Sequence, residues 1–147
     1  MPGTELIRCA ECGTMNRAPA DRPTPGARAI CGRCKRPLAV GTPVKVTDAT
    51  FATEVATASV PVVVDLWAAW CGPCRMLEPV IAELAAEMAG RVRFAKLNVD
   101  ENPATAARFN VQSIPTLLVL KGGKEIDRIV GAQPKTEIAR RLQRHVA

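Results

Sequence analysis

Val62-Val63-Val64-Asp65-Leu66-Trp67-Ala68-Ala69-Trp70-Cys71-Gly72-Pro73-Cys74 decides how the rest of the chain is read. Its first half is near-continuously apolar, the pattern of a central strand covered on both faces. Beyond Cys74 the apolar residues Leu77, Ile81, Leu84 and Met88 recur at spacings of three and four, which predicts a helix ending near Gly90. The two thiols therefore sit where a buried strand hands over to a helix. Unpaired N–H groups and a partial positive charge at a helix N-terminus favour thiolate over thiol, so Cys71 is the expected nucleophile. Cys74, one helical turn on, is the expected resolving thiol. Pro73 suits the first turn, where its missing N–H removes no needed donor, whereas Pro79 is expected to kink the helix.

Outward from that junction the periodicities alternate. Val44-Lys45-Val46 reads as a short strand, and Asp48 or Thr50 as the cap of a first helix through Phe51 and Val55. Val92 to Val99 reads as a second internal strand, and Asn102-Pro103 opens a short helix reaching Phe109. Leu117 to Leu120 and Ile126 to Val130 read as a hairpin around Lys121-Gly122-Gly123-Lys124. A last amphipathic helix carries Ile138, Leu142 and Val146 on one stripe. The order β-α-β-α-β-α-β-β-α makes this an α/β unit with a mixed central sheet flanked by helices.

Residues 1–42 differ in kind. They hold Cys9-Ala10-Glu11-Cys12 and Cys31-Gly32-Arg33-Cys34, prolines at 19, 23 and 25, and few large apolar side chains. Such a segment has too little apolar surface to offset its ordering entropy. Eighteen residues separate the two pairs, within the spacing of a four-cysteine zinc ribbon. Cys9, Cys12, Cys31 and Cys34 are the expected ligands of one structural Zn²⁺, with Gly13 and Gly32 in turns that aim backbone N–H groups at the sulfurs. The only histidine, His145, lies at the far end of the chain. A mixed Cys/His site and a Cys–His nucleophile are both unexpected.

The chain has 147 residues, 48% of them hydrophobic, and a formal charge of +6. That composition provides a core. Residues 1–40 carry a formal +4, from Arg8, Arg17, Arg22, Arg28, Arg33, Lys35 and Arg36 against Glu5, Glu11 and Asp21. Four thiolates and one Zn²⁺ lower both charges by two, and no aromatic residues are interleaved for base stacking, so nucleic-acid binding is not expected. No stretch has the length of a membrane span, and the first residues lack a signal-peptide layout, so the expected location is the cytoplasm. There structural disulfides are rare, and three Cys-x-x-Cys pairs point to metal or catalysis.

Residues 43–147 resemble the thioredoxin family. The phrase Val63 to Cys74 carries the likeness, and Lys96-Leu97-Asn98-Val99-Asp100, Ser113-Ile114-Pro115-Thr116 and Val130-Gly131-Ala132 come after it in the family's order. With its N-terminal cysteine pairs the whole chain is similar to the zinc-containing thioredoxins of the thioredoxin-2 type. The likeness implies the thioredoxin fold on 43–147 beside a zinc-ribbon module with linker on 1–42. It implies a protein disulfide reductase whose Cys71–Cys74 couple is a redox-active disulfide, with no bound organic cofactor. Disulfide-containing proteins would be the substrates, a flavin-dependent, NADPH-using thioredoxin reductase the electron donor, and the monomer the working state. Asp65, a carboxylate amid apolar neighbours, is expected to have a raised pKa, and the resemblance assigns it proton transfer at Cys74. Lys96 matches the family's basic partner of that aspartate. Trp70, Gly72, Pro73, Ile114, Pro115 and Gly131 fall on the implied substrate surface, with a cis Ile114–Pro115 bond facing the cysteines. Trp67 reads as packing beneath them. The alternative is an interaction or redox-chaperone module in which the thioredoxin domain is a scaffold.

Overall fold

Branched side chains at Val62, Val63 and Val64 favour extended backbone, and the strand they begin becomes the middle of a five-stranded sheet. The computed structural model describes residues 4–9, 12–19, 30–35, 41–56, 58 and 60–146. Pro23, Pro25, Glu11, Asp21, Arg22, Arg28 and Arg36 lie outside them. In chain order the elements are β1 (Thr4–Arg8), β2 (Met15–Pro19), β3 (Val44–Lys45), α1 (Phe51–Ala56), β4 (Val62–Trp67) and α2 (Gly72–Glu87). Then come β5 (Arg93–Asn98), α3 (Pro103–Arg108), β6 (Thr116–Lys121), β7 (Lys124–Val130) and α4 (Lys135–Gln143). The large sheet runs β3-β5-β4-β6-β7, with β3, β5 and β4 parallel and β6 and β7 antiparallel. Among the described residues no helix is long and apolar enough to cross a membrane.

The strand alternation divides the core between the faces of this sheet. Val63, Phe94, Leu117 and Ile129 pack with Leu77, Ile81 and Leu84 of α2 and with Ile138 and Leu142 of α4. Val62, Val64, Leu66, Ala95 and Leu97 pack on the opposite face with Phe51 and Val55 of α1. Asp65 and Lys96 fall in the alternation of Val63 and Phe94, the α2 side, and are lateral partners in the β4–β5 register. A carboxylate thus occupies a position that the pattern makes apolar.

Helix α2 is assigned without a break across Pro79, and Met88 at its C-cap is buried. The hairpin β6–β7 turns through Gly122 (φ 58°) and Gly123 (φ 82°), left-handed positions that glycine adopts without steric cost, and its return strand begins at Lys124, two residues ahead of the sequence expectation. The capping expectation needs correction. Thr50 pairs reciprocally with Thr47, whose N–H donates to Thr50 Oγ1 at 2.9 Å while Thr50 N–H donates to Thr47 Oγ1 at 3.2 Å. Asp48 instead caps α3, accepting the N–H groups of Ala104 (3.2 Å) and Thr105 (2.9 Å) and the Thr105 hydroxyl (2.7 Å). Sequence proximity favoured the nearer helix, but α3 begins at Asn102-Pro103, and Asn102 makes no side-chain cap of its own.

The N-terminal segment forms the antiparallel pair β1–β2, to which the sequence reading assigned no strands. Cys9 and Cys12 lie between these strands. The turn closes with Gly13 N–H on Cys9 O and Cys9 N–H on Thr14 O, both 2.9 Å. Gly13 takes φ 78°, and Lys35, not Gly32, is the left-handed residue of the second cysteine turn, at φ 67°.

Candidate active site and metal centre

The end of β4 delivers the chain through Ala68-Ala69-Trp70 to Cys71, which caps α2 in extended conformation (φ −87°, ψ 108°). Cys71 Sγ accepts the Cys74 N–H at 3.2 Å, one of the orphan donors of the first helical turn. Cys71 and Cys74 are joined as a disulfide with Cα atoms 5.3 Å apart. Cys71 Sγ lies 3.9 Å from the Ile114 carbonyl oxygen, and the Ile114–Pro115 bond is cis. Gly131 N–H donates to Pro115 O at 2.9 Å, with Gly131 at φ 88°. These bonds bring Ile114, Pro115 and Gly131 to the redox pair from two loops distant in sequence. Trp70 is 70% exposed, and its indole N–H donates to Asp100 Oδ2 at 2.9 Å. Trp67 packs behind the cysteines with Ala68.

Beneath Cys74 is a cavity of about 270 Å³ lined by Asp65, Trp67, Cys74, Arg75, Glu78 and Lys96. Asp65 is 1% exposed and its Oδ1 has no hydrogen-bond partner among the described residues. Burial pushes the Asp65 carboxyl up to about 7, against the pull of the Lys96 charge and with a further push from Glu78. Lys96 Nζ is 3.1 Å from Glu78 Oε1 and 5.2 Å from the Trp67 ring centroid. A carboxylic acid titrating near neutrality in the cavity that Cys74 lines is an arrangement for moving a proton once the pair is reduced to thiols. Glu78 was not singled out from the sequence. Its place four residues after Cys74 puts both on one face of α2, which is the signal that identifies it.

The second constellation gathers Cys9, Cys12, Cys31 and Cys34, whose sulfurs all lie within 4.8 Å of one another. Cys9 and Cys34 are 3.6 Å apart at sulfur, and Cys12 and Cys31 3.7 Å. A tetrahedral ion bound by sulfur at about 2.3 Å has sulfur–sulfur edges of about 3.8 Å, so the set fits one metal ion. The Cys34 backbone N–H, the Asn16 amide and the Arg33 N–H pull the Cys31 thiol down to about 6, towards the thiolate a metal requires. The second cysteine turn aims a backbone N–H at a sulfur, as expected, but that N–H is Arg33's and the glycines' own N–H groups go to oxygens. Gly32 N–H donates to Asn16 Oδ1 at 2.9 Å, while Asn16 Nδ2 (3.4 Å) and Arg33 N–H (3.4 Å) reach Cys31 Sγ. Asn16 thereby joins one cysteine turn to the other; no spacing rule pointed to it. His145 belongs to neither site and lies with Nε2 3.0 Å from Asp127 Oδ2.

The thioredoxin family's sequence profile matches residues 42–144, leaving all four N-terminal cysteines outside the match. Thioredoxin 1 of a Nostoc species is 49% identical over 102 residues, 69% of this chain and 95% of that protein. Thioredoxin 2 of Chlorobaculum tepidum is 53% identical over 100 residues, 68% and 92% of the two chains. The Staphylococcus aureus thioredoxin is 52% identical over 103 residues, 70% and 97%. With a mixed sheet, a helix-capping disulfide and these relatives, the chain belongs to the thioredoxin family and is a thioredoxin-type protein disulfide oxidoreductase, a dithiol–disulfide carrier built on Cys71 and Cys74.

Proposed function

We propose that the protein works as a zinc-containing thioredoxin of the thioredoxin-2 type, with 43–147 as its catalytic domain and 1–42 as a module held by one structural Zn²⁺ on Cys9, Cys12, Cys31 and Cys34. Zinc when bound supplies folding free energy and no redox step, because d¹⁰ Zn²⁺ does not change oxidation state. The observation that carries the catalytic reading is the cavity shared by Cys74 and the buried carboxyl of Asp65, whose Oδ1 has no hydrogen-bond partner among the described residues.

In the reduced protein Cys71 thiolate attacks one sulfur of a substrate disulfide. That S–S bond breaks, the far sulfur leaves as a thiolate and takes a proton from water, and Cys71 is left in a mixed disulfide. Cys74 then passes its thiol proton to the Asp65 carboxylate, attacks Cys71 Sγ, and expels the second substrate sulfur. Two electrons have moved from the protein dithiol to the substrate, giving the Cys71–Cys74 disulfide of the present structure. Lys96 moderates the charge at Asp65. Trp70, Gly72, Pro73, Ile114, Pro115 and Gly131 form the docking surface, on which an extended substrate pairs through main-chain groups and exposed Trp70 supplies apolar contact. A flavin-dependent, NADPH-using thioredoxin reductase returns the electrons. A reducing compartment such as the cytoplasm suits both sites, since it keeps the four metal thiolates reduced.

Insulin reduction coupled to thioredoxin reductase tests this reading. Full-length protein containing one zinc per chain is expected to turn over, and the 43–147 fragment to keep that activity within a few-fold. A folded but inactive fragment would overturn the division into two modules.

A further inference from the structure

Four charged side chains, Asp65, Arg75, Glu78 and Lys96, line the cavity under Cys74, although one proton acceptor suffices for the chemistry. Asp65 and Lys96 are lateral neighbours in the β4–β5 register, an arrangement that allows the ammonium to lie over the carboxyl. It lies elsewhere. Lys96 Nζ is 3.1 Å from Glu78 Oε1 and over the Trp67 ring, while Asp65 Oδ1 is without a hydrogen-bond partner among the described residues. Arg75, the fourth charged group lining the cavity, is turned to the loop before the helix, its Nη2 donating to Ala69 O at 2.6 Å. Glu78 sits one helical turn beyond Cys74, with its side chain 61% exposed, so it stands at the solvent mouth of the same cavity.

We propose that Glu78 is a positioning residue for the Cys74 step: it draws the Lys96 ammonium to the mouth of the cavity and holds it off the Asp65 carboxyl. A counter-ion at Asp65 would stabilise the ionised carboxylate and weaken it as a proton acceptor. With Glu78 offsetting part of the Lys96 pull, burial keeps its hold on Asp65, whose affinity for the Cys74 proton stays matched to neutral pH. The bond to Glu78 also places the lysine ammonium above the Trp67 ring. This inference rests on the reading of Asp65 as the acceptor for Cys74.

The test is a carboxyl ¹³C NMR titration of Asp65 in the reduced, zinc-loaded full-length protein, on the parent, Glu78→Gln, Lys96→Met and the double variant. In parallel, the rate of mixed-disulfide resolution is followed against pH. Glu78→Gln is expected to move the Asp65 midpoint to lower pH and raise its ionised fraction at pH 6 roughly threefold. The acid limb of the resolution rate moves the same way, and Glu78→Asp, which keeps the charge, restores the parent profile. In the Lys96→Met background the same substitution has a smaller effect, because only the direct push of Glu78 on Asp65 remains and the part that acts through the ammonium is gone. An unchanged midpoint in Glu78→Gln, or an equal displacement with and without Lys96, would overturn the proposal. Failure of the underlying reading looks different: Asp65→Asn would leave the resolution rate and its pH profile intact whatever the titration showed.

Discussion

Cys71-Gly72-Pro73-Cys74 and Cys31-Gly32-Arg33-Cys34 differ at one position between their cysteines, yet one is joined as a disulfide and the other shares in a four-sulfur cluster. The chain beyond each pair decides the difference. Cys74 lies in the first turn of a sixteen-residue helix, so the N–H reaching the first sulfur comes from the fourth residue of the motif and Pro73 withholds the one before it. Arg33 supplies that earlier N–H to Cys31 Sγ, the chain turns at Lys35, and Cys9 and Cys12 stand opposite at ligand spacing. A cysteine pair beside a helix finds its partner within itself. A pair beside a second turn finds it across the gap.

The sharpest break of this comparison removes the sulfurs in turn. Cys71→Ser is expected to abolish insulin reduction, whereas Cys74→Ser accumulates mixed disulfides that mass spectrometry detects; normal product release by Cys74→Ser would refute its resolving role. Next in size is the metal. Chelation, or Cys12→Ser, removes binding free energy on the order of 10 kcal/mol from a segment with little core, and is expected to unfold β1, β2 and the two cysteine turns while leaving the large sheet intact. Zinc analysis and amide exchange check both halves, and melting of the whole chain on chelation would show the two parts to be one unit.

Asp65→Asn has the next largest effect. Because the folded carboxyl titrates near 7 and an unfolded one near its ordinary value, stability is full below about pH 4 and falls as the pH rises through the folded pKa. The variant escapes this loss. It is expected to match the parent at pH 4 and exceed it by ~4 kcal/mol at pH 8 in urea unfolding, while resolving mixed disulfides more slowly. A gap independent of pH would mean that the carboxyl is not the titrating group. The smallest effect tests the bridge between the cysteine turns: Asn16→Ala is expected to speed zinc release to a chelating dye about tenfold with insulin reduction unchanged.

The sequence made the junction of β4 and α2 legible because two clean periodicities meet there, and Asp65 stood out because a lone carboxylate interrupts an apolar run. The four metal cysteines were legible from spacing alone. The hairpin β1–β2 was not, since Thr4-Glu5-Leu6-Ile7-Arg8 and Met15-Asn16-Arg17-Ala18-Pro19 carry little alternation and the turn between them is the cysteine turn itself. Glu78 was hidden among the charges of an amphipathic helix. The buried pair of Glu54 on α1 and Arg93 on β5, 2.8 Å apart, was hidden by its 39-residue separation, which no local pattern reports.

The Asp48 cap has a consequence for how the native state opens. Helix α3 has six residues, too few for independent stability, and two of its leading N–H groups are satisfied by a carboxylate more than fifty residues upstream. The link is returned, since Asn102 Oδ1 accepts the Asp48 N–H at 2.9 Å. The corner after β3 and the start of α3 therefore come apart together. Protection of the Ala104 and Thr105 amides against deuterium is a gauge of whether the edge of the sheet is docked, and an Asp48→Ala variant would exchange them at the rate of the corner's own fluctuations while the centre of α2 stays protected.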